Sequence, residues 1–113
     1  MHEMALAESL VELIEEEARK HAAQRVKTVR LAVGALAAVE PKALAFCFDA
    51  AARGAAAEGA RLDILYSPGK GWCLDCAEEV PLSERGGACP NCANYHVQMT
   101  GGDELRLIEL EIA

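Results

Sequence analysis

Two short motifs, CLDC and CPNC, constrain this chain more than any other stretch. They set Cys73 and Cys76, and then Cys89 and Cys92, in matched pairs. Two thiolates three positions apart on a tight turn grip a metal ion from one side. Two such knuckles complete a tetrahedral sulfur site. Twelve residues separate Cys76 from Cys89, which is shorter than the usual finger spacing but enough for a hairpin to bring the pairs together. Zinc leads as the common metal of closed tetrahedral four-sulfur sites, and iron in a rubredoxin-like cage is the main metal alternative. A thioredoxin-type dithiol fits less well, because such a motif opens a helix after a strand and is not duplicated. Four thiolates leave no open coordination position, so the ion is expected to hold local structure rather than do chemistry.

The rest of the composition supports a structural staple. Hydrophobic residues make up 52 % of the 113, but aromatics only 4 %. Much of the apolar content is alanine, which buries little area and predicts a thin core. A net charge of −7 argues against a nucleic acid partner, whose phosphates call for clustered Lys and Arg. No apolar run approaches the ~20 residues needed to span a bilayer, and no secretory leader pattern opens the chain. The expected compartment is the cytoplasm, where thiols stay reduced. That favours four metal ligands and a spare thiol, Cys47, over disulfides.

Outside the cysteine segment the periodicity is regular. From Glu3 to about Ala23, Met4, Ala7, Leu10, Val11, Ile14 and Ala18 fall at steps of three and four, an amphipathic helix. Arg19, Lys20 and His21 suit the negative end of its dipole. In RVKTVRLAVG, Val29, Leu31 and Val33 alternate with polar or small neighbours, a strand closed by Gly34. A second helix starts at Pro41, buries Leu44, Cys47, Phe48 and Ala51, is weakened by Gly54 and ends at Gly59. Leu62, Ile64 and Tyr66 mark a second strand. Ile108, Leu110 and Ile112 mark a closing strand that rejoins the first sheet. The expected fold is therefore α+β. A small mixed three-stranded sheet with two helices occupies residues 1–66 and 103–113, and a zinc-ribbon-like four-cysteine domain is inserted over 67–102. Trp72 is expected to cover the knuckle beside it. His96 reads either as a further ligand or neighbour of the metal, or as an exposed strand histidine.

The first three residues offer a second set of donors: the α-amine of Met1, the amide nitrogens of His2 and Glu3, and the His2 imidazole, with the Glu3 carboxylate close by. Amine, amide and imidazole from consecutive residues close small chelate rings, a nitrogen-rich planar set that suits Ni(II) or Cu(II). A solvated first turn, with Glu3 favouring the helix dipole, accounts for the same residues.

Taken together, MHE at the start, RLAVG, the paired CLDC and CPNC, and the closing GGDELRLIELEI resemble the HypA/HybF family of hydrogenase-maturation nickel metallochaperones over essentially the whole chain. The resemblance implies that His2 is the essential nickel ligand, aided by the Met1 amine and nearby backbone, with Glu3 as neighbour. It implies structural zinc on Cys73, Cys76, Cys89 and Cys92. It also implies delivery of nickel to the large-subunit precursor of [NiFe] hydrogenase together with the GTPase HypB. Some members support urease, which adds urease maturation proteins to the expected partners, and a homodimer is compatible with this reading. The chain is not expected to be an enzyme, since it has no readable nucleophile–base pair and no phosphate loop. The reading from another class is a zinc-ribbon module that binds protein or nucleic acid and has no nickel function.

Overall fold

The computed structural model describes residues 3–113. Helix α1 (Glu3–Lys20) is followed by strand β1 (Val26–Gly34), helix α2 (Pro41–Ala51) and strand β2 (Arg61–Ser67). Short strands β3 (Lys70–Cys73), β4 (Glu78–Pro81) and β5 (Val97–Gly101) come next, and β6 (Leu105–Ile112) closes the chain. One three-stranded sheet has the order β2-β1-β6, so the last strand does rejoin the first. A second has the order β4-β3-β5, with both pairings antiparallel. The α+β class with a four-cysteine cluster thus stands as expected.

The chain forms two compact units. The first contains the described residues up to Leu31, Val39–Ile64 and Leu107–Ala113. Its core follows from the helical stripe: Ala7, Leu10, Val11, Ile14 and Ala18 are buried, whereas Met4 at the end of the stripe is exposed. Helix α1 packs on α2, which contributes Leu44 and Phe48 to the same core, and β1 supplies Val29 and Leu31. Cys47 and Ala51 are only half-buried. The buried Thr28 hydroxyl donates to Glu111 at 2.8 Å, so no polar cost is left uncompensated there.

Both helices end earlier than their composition predicts. Helix α1 stops at Lys20 because Ala22 takes a left-handed φ of 50°. The Ala23 amide then returns to the Ala18 carbonyl at 2.8 Å and the Ala22 amide to Arg19 at 3.1 Å, a Schellman closure built on alanine instead of glycine. Helix α2 was expected to run to Gly59 but ends at Ala51. Gly54 adopts φ 78° and its amide donates to Glu58 Oε1 at 2.7 Å, so the alanine-rich stretch after it folds as successive turns. Alanine favours a helix by only tenths of a kilocalorie per residue, roughly, and local closure overrides that preference.

The second unit comprises Ala32–Ala38 and Leu65–Arg106. The end of β1 meets the returning chain closely. The Gly34 amide donates to the Glu104 carbonyl at 2.7 Å and the Leu36 amide to the Gly102 carbonyl at 2.6 Å. A Cβ on Gly34 would stand 2.0 Å from the Gly102 carbonyl oxygen, so only glycine permits this approach. That is the structural reason for the glycine closing RLAVG.

Candidate metal centres

Each cysteine pair sits on a turn of the same design. In the first, the Ala77 amide donates to the Cys73 carbonyl at 2.8 Å; in the second, the Ala93 amide donates to the Cys89 carbonyl at 2.9 Å. Ala77 and Ala93 have left-handed φ values of 55° and 65°, the sharp reversal that turns both sulfurs of a pair inward. Amides also point at sulfur: Cys76 N–H to Cys73 Sγ and Asn91 N–H to Cys89 Sγ, each at 3.3 Å. Such donors stabilise thiolate over thiol.

The four sulfurs lie within 4.8 Å of one another, with Cys73–Cys92 at 3.7 Å and Cys76–Cys89 at 3.9 Å. A zinc ion about 2.3 Å from each sulfur requires edges of roughly 3.8 Å in a tetrahedron; two edges already match, and none exceeds that length by more than about 1 Å. Cys73 and Cys89 are buried and Cys76 and Cys92 half-buried; Val80 and Val97 supply the apolar cover. Trp72 does not. It faces away from Gly71 and Cys73 because side chains alternate along β3, and it remains 42 % exposed. Without metal the crowded thiols titrate apart. The Cys92 and Asn91 amides bring Cys89 down from 9.0 to about 7, whereas sulfur contacts with Cys92 and Cys73 push Cys76 far up. A cage whose first thiolate exists near neutral pH sheds its remaining protons on metal binding.

His96 lies outside the sulfur cluster. Its Nδ1 pairs with Asp75 Oδ2 at 2.9 Å, and the ring is largely exposed. Asp75, inside CLDC, also accepts from Asn94 Nδ2 at 3.0 Å, and Asn91 Nδ2 donates to Glu78 Oε1 at 3.0 Å. Sequence reasoning passed over Asp75, Glu78, Asn91 and Asn94. The only signal was the density of Asp, Glu and Asn around the knuckles.

Of the proposed nickel donors, Met1 and His2 lie outside the described residues. Glu3 is the first residue of α1, and its carboxylate accepts from the Glu40 amide at 3.3 Å. Glu40 in turn caps α2, its Oε2 accepting from Ala43 N–H at 2.6 Å. The start of one helix is thereby tied to the start of the other. Sequence reading identified Pro41 as the first helical residue but not this link through Glu40. Among the described residues no helix is long and apolar enough to cross a membrane.

Comparison with known proteins bears on the whole chain. Residues 1–112 match the family model described as hydrogenase/urease nickel incorporation, metallochaperone, hypA. Hydrogenase maturation factor HypA of Dechloromonas aromatica is 53 % identical over 112 residues, covering 99 % of each chain. The factor of the same name from Methylocella silvestris is 57 % identical at the same coverage. The solution structure of the Ni metallochaperone HypA from Helicobacter pylori superposes with a TM-score of 0.70 at 29 % identity, over 99 % of this chain and 97 % of that one. A second solution structure, of a HypA protein, gives 0.72 at 30 % identity, over 100 % and 97 %. With a whole-chain family match and relatives above half identical across their full length, this chain belongs to the HypA family.

Proposed function

We propose that this protein is a nickel metallochaperone. It binds Ni(II) at its N-terminus and delivers it to the large-subunit precursor of [NiFe] hydrogenase, in the cytoplasm and in concert with the GTPase HypB. Urease maturation proteins are a further set of candidate clients. The observation that carries this reading is the match of residues 1–112 to the nickel-incorporation family, in a chain that begins MHE. The α-amine of Met1, the His2 imidazole and the backbone amides at His2 and Glu3 are the proposed donors. A chelate at a chain end releases its ion stepwise, as a transfer protein requires, because one donor can leave while the others still hold. The Glu3 carboxylate is engaged by the Glu40 amide, which suits Glu3 to positioning more than to supplying its side chain.

In the same reading Cys73, Cys76, Cys89 and Cys92 hold structural zinc, which cross-links the two knuckles of segment 67–102. The sulfur spacing supports this, and a closed four-sulfur shell keeps that metal from exchanging with the cargo.

The test is nickel titration of untagged protein beside His2→Ala and beside protein with residues added before Met1. Both changes are expected to abolish tight nickel binding while zinc stays at one per chain. If both bind nickel as the unaltered protein does, the terminal site is wrong, and a zinc-ribbon interaction module becomes the better description.

A further inference from the structure

The two knuckles are self-contained as half-sites. Each is closed by its own backbone bond and its own left-handed alanine. One backbone bond links them, the Leu74 amide donating to the His96 carbonyl at 2.9 Å where β3 pairs with β5. Side chains bridge the halves in two places. Asp75, at the tip of the first knuckle, accepts on one oxygen from Asn94 (3.0 Å) and His96 (2.9 Å), both just beyond the second. Asn94 is itself bound to a ligand residue, its carbonyl accepting from Cys89 N–H at 2.8 Å. On the other side Glu78 accepts from Asn91, which lies between Cys89 and Cys92.

We infer that Asp75 with Asn94 and Glu78 with Asn91 form two clasps, positioning residues that set how slowly the metal leaves the four-cysteine site. This rests on the zinc reading above. Loss of an ion from four thiolates proceeds one sulfur at a time. While the clasps add to that backbone link in holding the knuckles at binding distance, a freed sulfur recombines before the next one leaves. With a clasp cut, the half-sites separate more often and recapture falls, as effective concentration falls with added freedom. Neither clasp contains a ligand residue, so stoichiometry should survive while kinetics change.

The test is zinc transfer from the full-length protein to a chromophoric chelator. Asp75→Ala and Asn91→Ala are each expected to release zinc roughly two- to ten-fold faster, the factor one net hydrogen bond is worth. Both should still purify with one zinc per chain. Asn94→Ala added to Asp75→Ala should change little further, since both cut the same clasp. Asn91→Ala added to Asp75→Ala should multiply the effects. Asp75→Asn, which keeps an oxygen acceptor, should restore part of the slow release. Glu79→Ala removes the same charge from a neighbouring exposed position and is expected to leave the rate unchanged. Wild-type rates in both clasp variants, or equal acceleration by Glu79→Ala, would overturn the clasps while leaving the zinc site standing. Protein that purifies without zinc and takes up none overturns the four-cysteine zinc reading and the clasps together.

Discussion

The two compact units solve the problem of small size differently. The first buries side chains in the ordinary way: Phe48, Ile14, Leu44 and Val29 are almost wholly removed from water, and two helices supply most of that surface. In the second, the buried group around the knuckles is Cys73, Val80 and Cys89, with Val97 partly covering it. These residues, even with the buried Leu82, are few against the entropy of ordering the turns from 74 to 96, at roughly 1–2 kcal/mol per residue. One unit is held by apolar area throughout, whereas in the other four cysteines stand at the centre of the knuckle segment. The second unit also buries Val33, Leu36, Ala37 and Leu82, but none of these belongs to the group around the knuckles, so the comparison teaches that an alanine-rich, aromatic-poor chain can leave its cysteine segment with little apolar core of its own.

The most severe way to break the comparison is to remove the zinc proposed for the four cysteines. Structural zinc contributes on the order of 10 kcal/mol to such knuckles. Chelation, or Cys73→Ala, is therefore expected to strip amide-exchange protection from β3, β4 and β5. The helical ellipticity from α1 and α2 should survive. Collapse of both units together, followed by exchange mass spectrometry, would show that the first unit has no independent core. The converse substitution is Phe48→Ala, which should destabilise the first unit by about 3–5 kcal/mol through loss of burial and the cavity left behind. Denaturant midpoints should fall while zinc per chain is unchanged.

A smaller effect separates the units through their left-handed alanines. A left-handed L-residue costs roughly 1–2 kcal/mol, and glycine recovers part of it against its greater chain entropy. Ala77→Gly and Ala93→Gly should each stabilise the second unit by up to about 1 kcal/mol, read as slower zinc loss to a chelator. Ala22→Gly should raise the helical melting midpoint instead, because its φ of 50° closes α1. Smallest is the response to acid. The Ser67 hydroxyl and the Gly102 amide hold Glu104 below its ordinary 4.5; the Thr28 hydroxyl, then nearby Lys27, does the same for Glu111. Each carboxylate therefore contributes stability that is complete above about 4.5 and is lost as pH falls through its depressed value. Glu104→Gln should flatten the acid limb of zinc retention, and Glu111→Gln that of helix unfolding. Equal flattening of both limbs by either variant would deny the division.

Much of the fold was legible in the chain because it depends on local pattern. The stripe Ala7–Leu10–Val11–Ile14–Ala18 placed α1, strand alternation placed β1 and β6, and two matched CxxC pairs located the cage. What failed were endings. Alanine carries no mark of the left-handed closure at Ala22, and the run after Ala51 looks as helical as the run before it. Trp72 was misjudged because a neighbour in sequence was taken for a neighbour in space; one step along a strand reverses the face.

The sequence by itself determined which atoms are available: four thiolates in two grips, a nitrogen-rich terminus, and apolar spacing enough for two helices on a sheet. Covalent order and short-range sterics settle those. Only the tertiary structure decided that the sulfurs meet at 3.7–3.9 Å, that Glu3 is tied to the cap of α2, and that Asp75 reaches Asn94. Each joins residues 13 to 37 positions apart. A contact across such a loop exists only after its closure entropy has been met by the rest of the fold.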